Sequence, residues 1–298
     1  MPRIFEVSIR LGLPLSRNID GRSCEQSFAS LRAAPGGMVI DRMGTGHNMQ
    51  LSRLWTAKRV LLVEGKDVPL IDRFHSILFS EETTPLGSIP SLPIGGWSGW
   101  QRAIGSSEML KNAAGEKIIT YCILDRDYHT DEEISARQKD AAHRKIELHI
   151  WERKELENYF LIPALIQRAI NNQLEEGRQP VDLTIVENAM LGIAEGLKDQ
   201  TLDAIATYYL DQNRAGGLTT ANKNARDIVK SRWDTLSGML RIVSGKQFFS
   251  KLSKWSQDHY GISLNIGLIA RCFRPEEILP EVSNVIGAIE RGLPFQTI

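Results

Sequence analysis

The sequence predicts an α/β fold in which a parallel β-sheet is followed by a helical C-terminal region. Three short apolar runs, at 60–63, 118–124 and 146–151, are rich in β-branched residues, as buried parallel strands are. Helical patterns separate these runs, and after about Pro163 only helical spacing remains. Alternating strands and helices indicate a parallel sheet, and ligands bind such sheets at the carboxyl ends of the strands.

Composition limits the classes of protein to consider. The 298 residues are 42% hydrophobic and 24% charged, which excludes a disordered chain or a coiled-coil rod. Basic and acidic residues number 36 each, so the whole chain has no net attraction for nucleic acid. We find no signal peptide and no apolar run long enough to span a membrane. Cys24, Cys122 and Cys272 are far apart, which favours reduced thiols and a cytoplasmic protein.

The first two segments are expected to be an N-terminal segment at 1–55 and a sheet domain at 56–165. The N-terminal segment combines strand-like spacing at 4–13 with glycine-rich loops. In the sheet domain, helices are predicted at 69–79 and 131–144. The second helix starts with Thr130-Asp-Glu-Glu133, a capping-box pattern in which the Thr130 and Glu133 side chains can each satisfy a free backbone amide.

The remaining residues, 166–298, are predicted to form a helical domain. Apolar residues recur there at helical spacing, and the best loop candidate is Gln212–Asn224, which contains Gly216 and Gly217. The predicted helices lie at 163–174, 181–210, 223–240, 246–260 and 280–292.

Acidic residues end two of the predicted strands. Glu64 follows the first strand, and Asp125 and Asp127 follow the second, so all three are expected at one edge of the sheet. In an extended chain, residues i and i+2 point to the same side, so the two aspartates can share a ligand. Clustered carboxylates need a cation, and oxygen ligands suit Mg²⁺ or Mn²⁺. This pattern points to metal-assisted phosphoryl transfer or phosphodiester cleavage, unless these are ordinary turn residues.

The motifs around these acids resemble the Toprim domain of topoisomerases, primases and OLD-like (overcoming lysogenization defect) nucleases. The matching stretches are Val-Glu-Gly-Lys-Asp at 63–67, Leu-Asp-Arg-Asp at 124–127, and segments at 54–59, 93–97 and 153–159. The resemblance covers about residues 50–165 well. It implies that Glu64, Asp125 and Asp127 bind one or two Mg²⁺ or Mn²⁺ ions in an endonuclease.

One position departs from the Toprim pattern. Relatives often place a second acid four residues after the glutamate, where this chain has Val68. Asp67 lies one residue earlier and is the candidate substitute as a metal ligand. If it cannot substitute, a second metal ion and two-metal cleavage are in question.

Two further candidates for the active site lie farther along the chain. Glu157 has two interpretations. It would either bind the metal or orient a metal-bound water, or it would have a structural role as a helix cap or as a partner of Arg153. Lys246 resembles a C-terminal lysine of the active site of OLD-like nucleases, and the alternative is an ordinary surface lysine.

Basic and aromatic residues supply candidate contacts to nucleic acid. Arg126 lies between the two aspartates, where it can meet a phosphate or balance the carboxylates. Lys223, Arg226 and Lys230 recur at helical spacing and form either a nucleic-acid track or a solvated face. Trp97 and Trp100 are expected to reach a substrate or to pack against the sheet, and His129 is the one histidine close to the acids.

The resemblance also indicates partners. An ABC-type ATPase precedes the Toprim domain in OLD-like proteins, and this chain has no Walker A motif. The ATPase is therefore expected on a separate chain, as in two-protein antiviral systems such as PARIS. This chain would be the nuclease component, and its expected substrate is DNA or tRNA. A homo-oligomer is compatible with this reading, and no membrane partner is expected. The alternative function is a catalytically weak docking or regulatory subunit of an ATPase complex.

Overall fold

The computed structural model describes residues 54, 56–65, 67–79, 86–114 and 118–295. Nearly all of them belong to a single unit that spans Ala57–Ile298. The predicted strand-like stretch at 4–13 and Cys24 lie outside the described residues.

The sheet has four parallel strands in the order β2-β1-β3-β4. Three of them confirm the predicted strands, namely β1 (Arg59–Val63), β3 (Ile119–Leu124) and β4 (Glu147–Ile150). The strand β2 (Ser91–Pro93) was not predicted because it has three residues and no apolar run. The neighbours β1 and β3 pair with Val63 opposite Ile123, so both strands end at the same edge.

Three helices belong to the sheet region: α1 (Val68–Leu78), α2 (Trp100–Ala114) and α3 (Asp131–His143). The predictions of α1 and α3 are confirmed. The capping box is confirmed as well, because the Glu133 amide donates to Thr130 Oγ1 and the Thr130 amide donates to Glu133 Oε2. No helix was predicted at α2, whose polar residues interrupt the apolar spacing.

The C-terminal region is helical, as predicted, but three predicted boundaries are wrong. The helix expected at 223–240 is interrupted, because one helix ends at Arg232 and the next starts at Leu236. The helix expected at 181–210 is two helices, because the chain turns at Gly196 and Leu197. The loop expected at Gln212–Asn224 ends at Gly216, since the next helix starts at Gly217. The helices are α4 (Pro163–Asn171), α5 (Leu183–Glu195), α6 (Lys198–Gln212), α7 (Gly217–Arg232), α8 (Leu236–Ile242), α9 (Gly245–Tyr260), α10 (Ile266–Ala270) and α11 (Pro280–Arg291).

The buried core runs from the sheet into these helices. Phe74 of α1 stacks on Phe160 with ring centroids 4.5 Å apart, and Phe160 meets Phe273 edge-on at 5.8 Å. The Tyr121 hydroxyl of β3 donates to the Leu293 carbonyl at 2.8 Å. One apolar cluster thus joins the sheet and the helices. The domain boundary predicted at residue 165 stays a prediction.

In the described part of the chain, no helix combines the length and apolarity of a membrane span.

Removing the cap of α3 is expected to destabilise the fold. Thr130→Ala deletes the acceptor for the Glu133 amide, so the free energy of unfolding should fall by about 1 kcal/mol. Urea denaturation measures the loss. Thr219→Ala is the control, since Thr219 is an exposed helical threonine in α7. Equal stability of the two variants would contradict the role of the cap.

Candidate active site

The sheet brings Glu64 and Asp125 together at its carboxyl edge. Each residue directly follows its strand, and β1 and β3 are hydrogen-bonded neighbours. Glu64 Oε2 accepts a hydrogen bond from the Asp125 amide at 3.3 Å. The predicted juxtaposition of these two strand ends is therefore present.

Asp125 is the most buried carboxyl of the site, with 6% of its surface exposed. Its Oδ1 accepts a hydrogen bond from the Leu156 amide at 3.0 Å. Burial, and after it the charges of the four neighbouring carboxylates of Asp67, Glu64, Glu157 and Asp127, together raise the pKa of Asp125 to about 9. Without a cation, this carboxyl therefore holds a proton at neutral pH.

Asp127 reaches the site from a turn. Its φ of 48° lies in the left-handed region, which aspartate tolerates better than most residues, so the extended i, i+2 geometry expected for Asp125 and Asp127 is wrong. The turn is held by a 3.0 Å hydrogen bond from the Asp127 amide to the Lys154 carbonyl. After burial, the charge of Asp127 is the largest cause of the raised pKa of Glu64, so the two carboxylates lie close enough to repel each other.

Asp67 belongs to the same cluster. It stands at the N-cap position of α1, where its side chain makes no capping hydrogen bond. Burial raises the pKa of Asp67, and its own charge raises the pKa of Glu64 and of Asp125. Val68 is the first residue of α1, so Asp67 is the acid that this end of the helix contributes.

Glu157 and Lys246 are the other charged members of the cluster. Glu157 lies in a buried 3₁₀ turn, Leu156–Phe160, and its Oε1 is 3.6 Å from Lys246 Nζ. Burial raises the pKa of Glu157. Its Oε2 is buried without a hydrogen-bond partner among the described residues. Glu157 thus contacts Lys246, whereas Arg153 donates instead to the Asn158 carbonyl at 2.6 Å.

A glycine allows the helix that carries Lys246 to approach this closely. A Cβ on Gly245, the first residue of α9, would lie 2.5 Å from Asn158 Oδ1 and 3.1 Å from Glu157 Cβ. Real Cβ atoms do not come within 2.5 Å of an oxygen, so a side chain at this position would push the helix away. Gly245 therefore positions Lys246 at the acidic cluster.

Lys154 and Glu155 were missed by the sequence analysis. Lys154 Nζ is 2.5 Å from Glu155 Oε1 and 3.6 Å from Asp127 Oδ1, and both residues are buried. Glu155 Oε2 accepts a hydrogen bond from the Lys246 amide at 3.1 Å. The pair links the Asp127 turn to the start of α9. Its only sequence signal is a pair of charges inside the segment that resembles the Toprim family.

The loop after β2 contacts Glu64 and Asp125. Gly96 has a φ of 72°, and a Cβ there would lie 2.4 Å from Glu64 Oε1. Trp97 Nε1 donates to the Asp125 carbonyl at 2.8 Å, and its ring stacks on His129 with centroids 3.4 Å apart. Trp97 packs against the site loop, and Trp100 is buried.

The oxygen donors of the site have the chemistry that a hard cation such as Mg²⁺ or Mn²⁺ prefers. Five carboxyls gather at one edge, four of them have raised pKa values, and Glu157 Oε2 has no hydrogen-bond partner among the described residues. Within the described ranges, however, no three His, Cys, Asp or Glu side chains are arranged to hold a metal ion. Protein donors occupy the oxygens instead: the Leu156 amide contacts Asp125, Lys154 contacts Asp127 and Lys246 contacts Glu157.

Of the predicted nucleic-acid contacts, Arg126 is ion-paired, whereas the basic residues of α7 face solvent. Arg126 pairs with Asp131 at 2.5 Å, so it balances a carboxylate outside the cluster. The three candidate basic residues of α7 are exposed, and Ala221, Ala225 and Val229 form the buried face of that helix. Those exposed residues are Lys223, Arg226 and Lys230.

Comparison of the chain with protein-family models, with curated proteins and with solved structures found no match.

The raised pKa of Asp125 predicts a pH-dependent stability. Its pKa is about 9 in the metal-free fold against 3.8 for an ordinary aspartate, so the stability contributed by its proton is fully present below about pH 4 and is lost as the pH rises toward 9. In EDTA, Asp125→Asn should stabilise the protein at about pH 8 by on the order of 1 kcal/mol or more and should flatten the pH dependence.

Thermal unfolding between about pH 5 and pH 8 measures this effect. Asp203→Asn, at an exposed aspartate of α6, is the matched control and should leave the profile unchanged. A wild-type stability that rises with pH, or an Asn variant that is less stable at pH 8, would contradict the protonation of Asp125.

Proposed function

We propose that the protein is a metal-dependent endonuclease of the Toprim type, which hydrolyses phosphodiester bonds of DNA or of tRNA or other RNA. The observation that carries the proposal is the gathering of five carboxyls at the carboxyl ends of parallel strands, with the pKa of Asp125 raised to about 9. Such a surplus of negative charge costs stability unless a cation binds, which makes it characteristic of a functional site.

The residues divide into ligands and supporting groups. Glu64, Asp125 and Asp127 would bind Mg²⁺ or Mn²⁺, and Asp67 would complete a second ion's shell. Such a cation, when bound, neutralises charge on the phosphate and activates water. Lys246, which is cationic and 3.6 Å from Glu157, is placed to bind a phosphate oxygen.

Glu157 is the candidate base for the attacking water. Hydrolysis places the water oxygen on phosphorus, releases the leaving oxygen and requires a group to accept the water proton. Glu157 Oε2 is buried and has no hydrogen-bond partner among the described residues, and burial raises the pKa of this carboxyl, which makes it a stronger base.

The cellular setting follows from the resemblance and from the thiols. We propose a cytoplasmic nuclease, since Cys122 and Cys272 are free and buried. Control by a separate ABC-type ATPase, a role in antiviral defence and assembly into a homo-oligomer are proposals carried by the resemblance to OLD-like proteins. Arg126 and the exposed basic face of α7 are the proposed contacts to the backbone of the nucleic acid.

The second candidate function is a docking or regulatory subunit that keeps the fold without catalysis. Two observations favour it: Val68 replaces an acid of the Toprim pattern, and no three ligating side chains converge among the described residues. The two functions differ in one measurable property, which is metal-dependent cleavage.

Cleavage of plasmid DNA and of total tRNA should require Mg²⁺ or Mn²⁺, and it should be lost in EDTA. Glu64→Gln removes a charged ligand at nearly constant volume and should reduce the rate by about 100-fold or more. Gel electrophoresis of the products measures the rate. Glu187→Gln, at an exposed glutamate of α5, is the matched control and should cut as the wild type does.

Equal cutting by the wild type and Glu64→Gln would show that another site, or a contaminant, is responsible. If the wild type neither cuts with any metal nor binds one, the docking function is favoured.

A further inference from the structure

Two adjoining cavities lie along helix α3, one of them beside the Trp97 loop. The first has a volume of about 500 Å³ and lies between the Trp97 loop and α3. The second, of about 410 Å³, lies between the start of α3 and the facing ends of α6 and α7. Glu133 and Gln212 line both, so the two cavities form one groove.

The groove and the surroundings of Asp125 have Trp97 in common. Trp97 lines the first cavity and donates to the Asp125 carbonyl at 2.8 Å. His129, two residues after Asp127, stacks on Trp97 and lies 2.5 Å from the Tyr208 hydroxyl of α6 through Nδ1. A molecule in this cavity would therefore contact Trp97, whose indole is hydrogen-bonded to the backbone of Asp125.

Arg137 is the distinctive residue of the first cavity. Its Cζ lies 4.9 Å from the ring centroid of Trp97 and 5.0 Å from that of Trp100, so the two indoles hold its guanidinium in place. Within the described part of the chain, this guanidinium has no hydrogen-bond or ion-pair partner. Its donors are therefore left for a ligand.

The other polar groups of the cavity are mostly satisfied. Asp140 accepts from Trp100 Nε1 at 2.6 Å and from Arg144 Nε at 3.0 Å. Glu133 accepts from the Tyr208 hydroxyl at 2.8 Å and from the Thr130 amide at 2.8 Å. The Gln212 side chain is exposed, and its amide makes no hydrogen bond to another described residue. A ligand would therefore meet a planar guanidinium, aromatic rings and a free amide.

This chemistry favours a base over a phosphate. Glu133 and Asp140 together outweigh the single charge of Arg137, so the lining repels an anion. A nucleobase is neutral and planar, stacks on aromatic or guanidinium planes, and presents donors and acceptors at its edge. Arg137 and Gln212 offer the complementary groups.

We propose that this groove binds an unpaired nucleobase next to the scissile phosphodiester, so that single-stranded nucleic acid is the substrate. The inference rests on the proposed nuclease function. In a duplex the bases are paired and stacked, so a base can enter the groove only from a single strand or after it has flipped out. The groove, and not the acidic cluster, would therefore make the protein prefer single-stranded over double-stranded nucleic acid.

The test measures binding in EDTA, where the full-length chain cannot cleave. Fluorescence anisotropy would compare a short labelled single strand with its duplex, as DNA and as RNA. The wild type should bind the single strand more tightly. Arg137→Ala should weaken single-strand binding by about tenfold and change duplex binding little, since it removes the guanidinium donors that would bind the edge of the base. Gln212→Ala, at an exposed position, should weaken it in the same direction.

Two further variants separate the planar donor group of Arg137 from its charge. Arg137→Lys keeps the charge but loses the planar group, so it should bind nearly as weakly as Arg137→Ala. Lys139→Ala removes an exposed charge from the same helix and should bind as the wild type does. Full rescue by Arg137→Lys, or equal losses for duplex and single strand, would overturn the base site in favour of a backbone contact. Unchanged binding in both the Arg137 and Gln212 variants, or no single-strand binding by the wild type, would also overturn it.

The two proposals fail in different ways. If the chain cleaves nucleic acid but these variants bind single strands normally, the base site is wrong and the nuclease stands. If single strands bind through Arg137 and no condition supports cleavage, the nuclease is wrong and the base site stands.

Discussion

The burial of Asp125 is the constraint on which the rest of the site depends. Its carboxyl is 6% exposed and has four other carboxyls near enough to raise its pKa, so the metal-free fold holds a proton there. Removing the proton without adding a cation would place unbalanced charge in a region of low dielectric constant. The surrounding backbone and lysines limit that cost, and a divalent ion would remove it.

The scaffold of the site serves to keep the negative groups close to each other. Parallel pairing of β1 and β3 fixes Glu64 beside Asp125, and Gly96 leaves room for the Glu64 carboxylate. On the other side, the buried Lys154–Glu155 pair ties the Asp127 turn to the first turn of α9. Because these contacts join the sheet to a helix far along the chain, the site needs both parts of the unit.

Much of this arrangement could be predicted from the sequence, and the limits are physical. Glu64 and Asp125 could be placed because the ends of buried parallel strands share an edge. The position of Lys154 depends on how the chain turns after β4, and that of Arg137 on two distant indoles, which no local pattern records. Glycine spacing predicted a loop up to Asn224, yet packing of Ala221 and Ala225 extends α7 back to Gly217.

The most direct test of the central claim is calorimetric titration of the protein with Mn²⁺ at neutral pH, in buffers of different ionisation enthalpy. The account predicts that binding releases a proton, because the cation replaces the proton held by Asp125, and that Asp125→Asn binds more weakly without this release. Binding without proton release from the wild type, or no binding, would contradict the account.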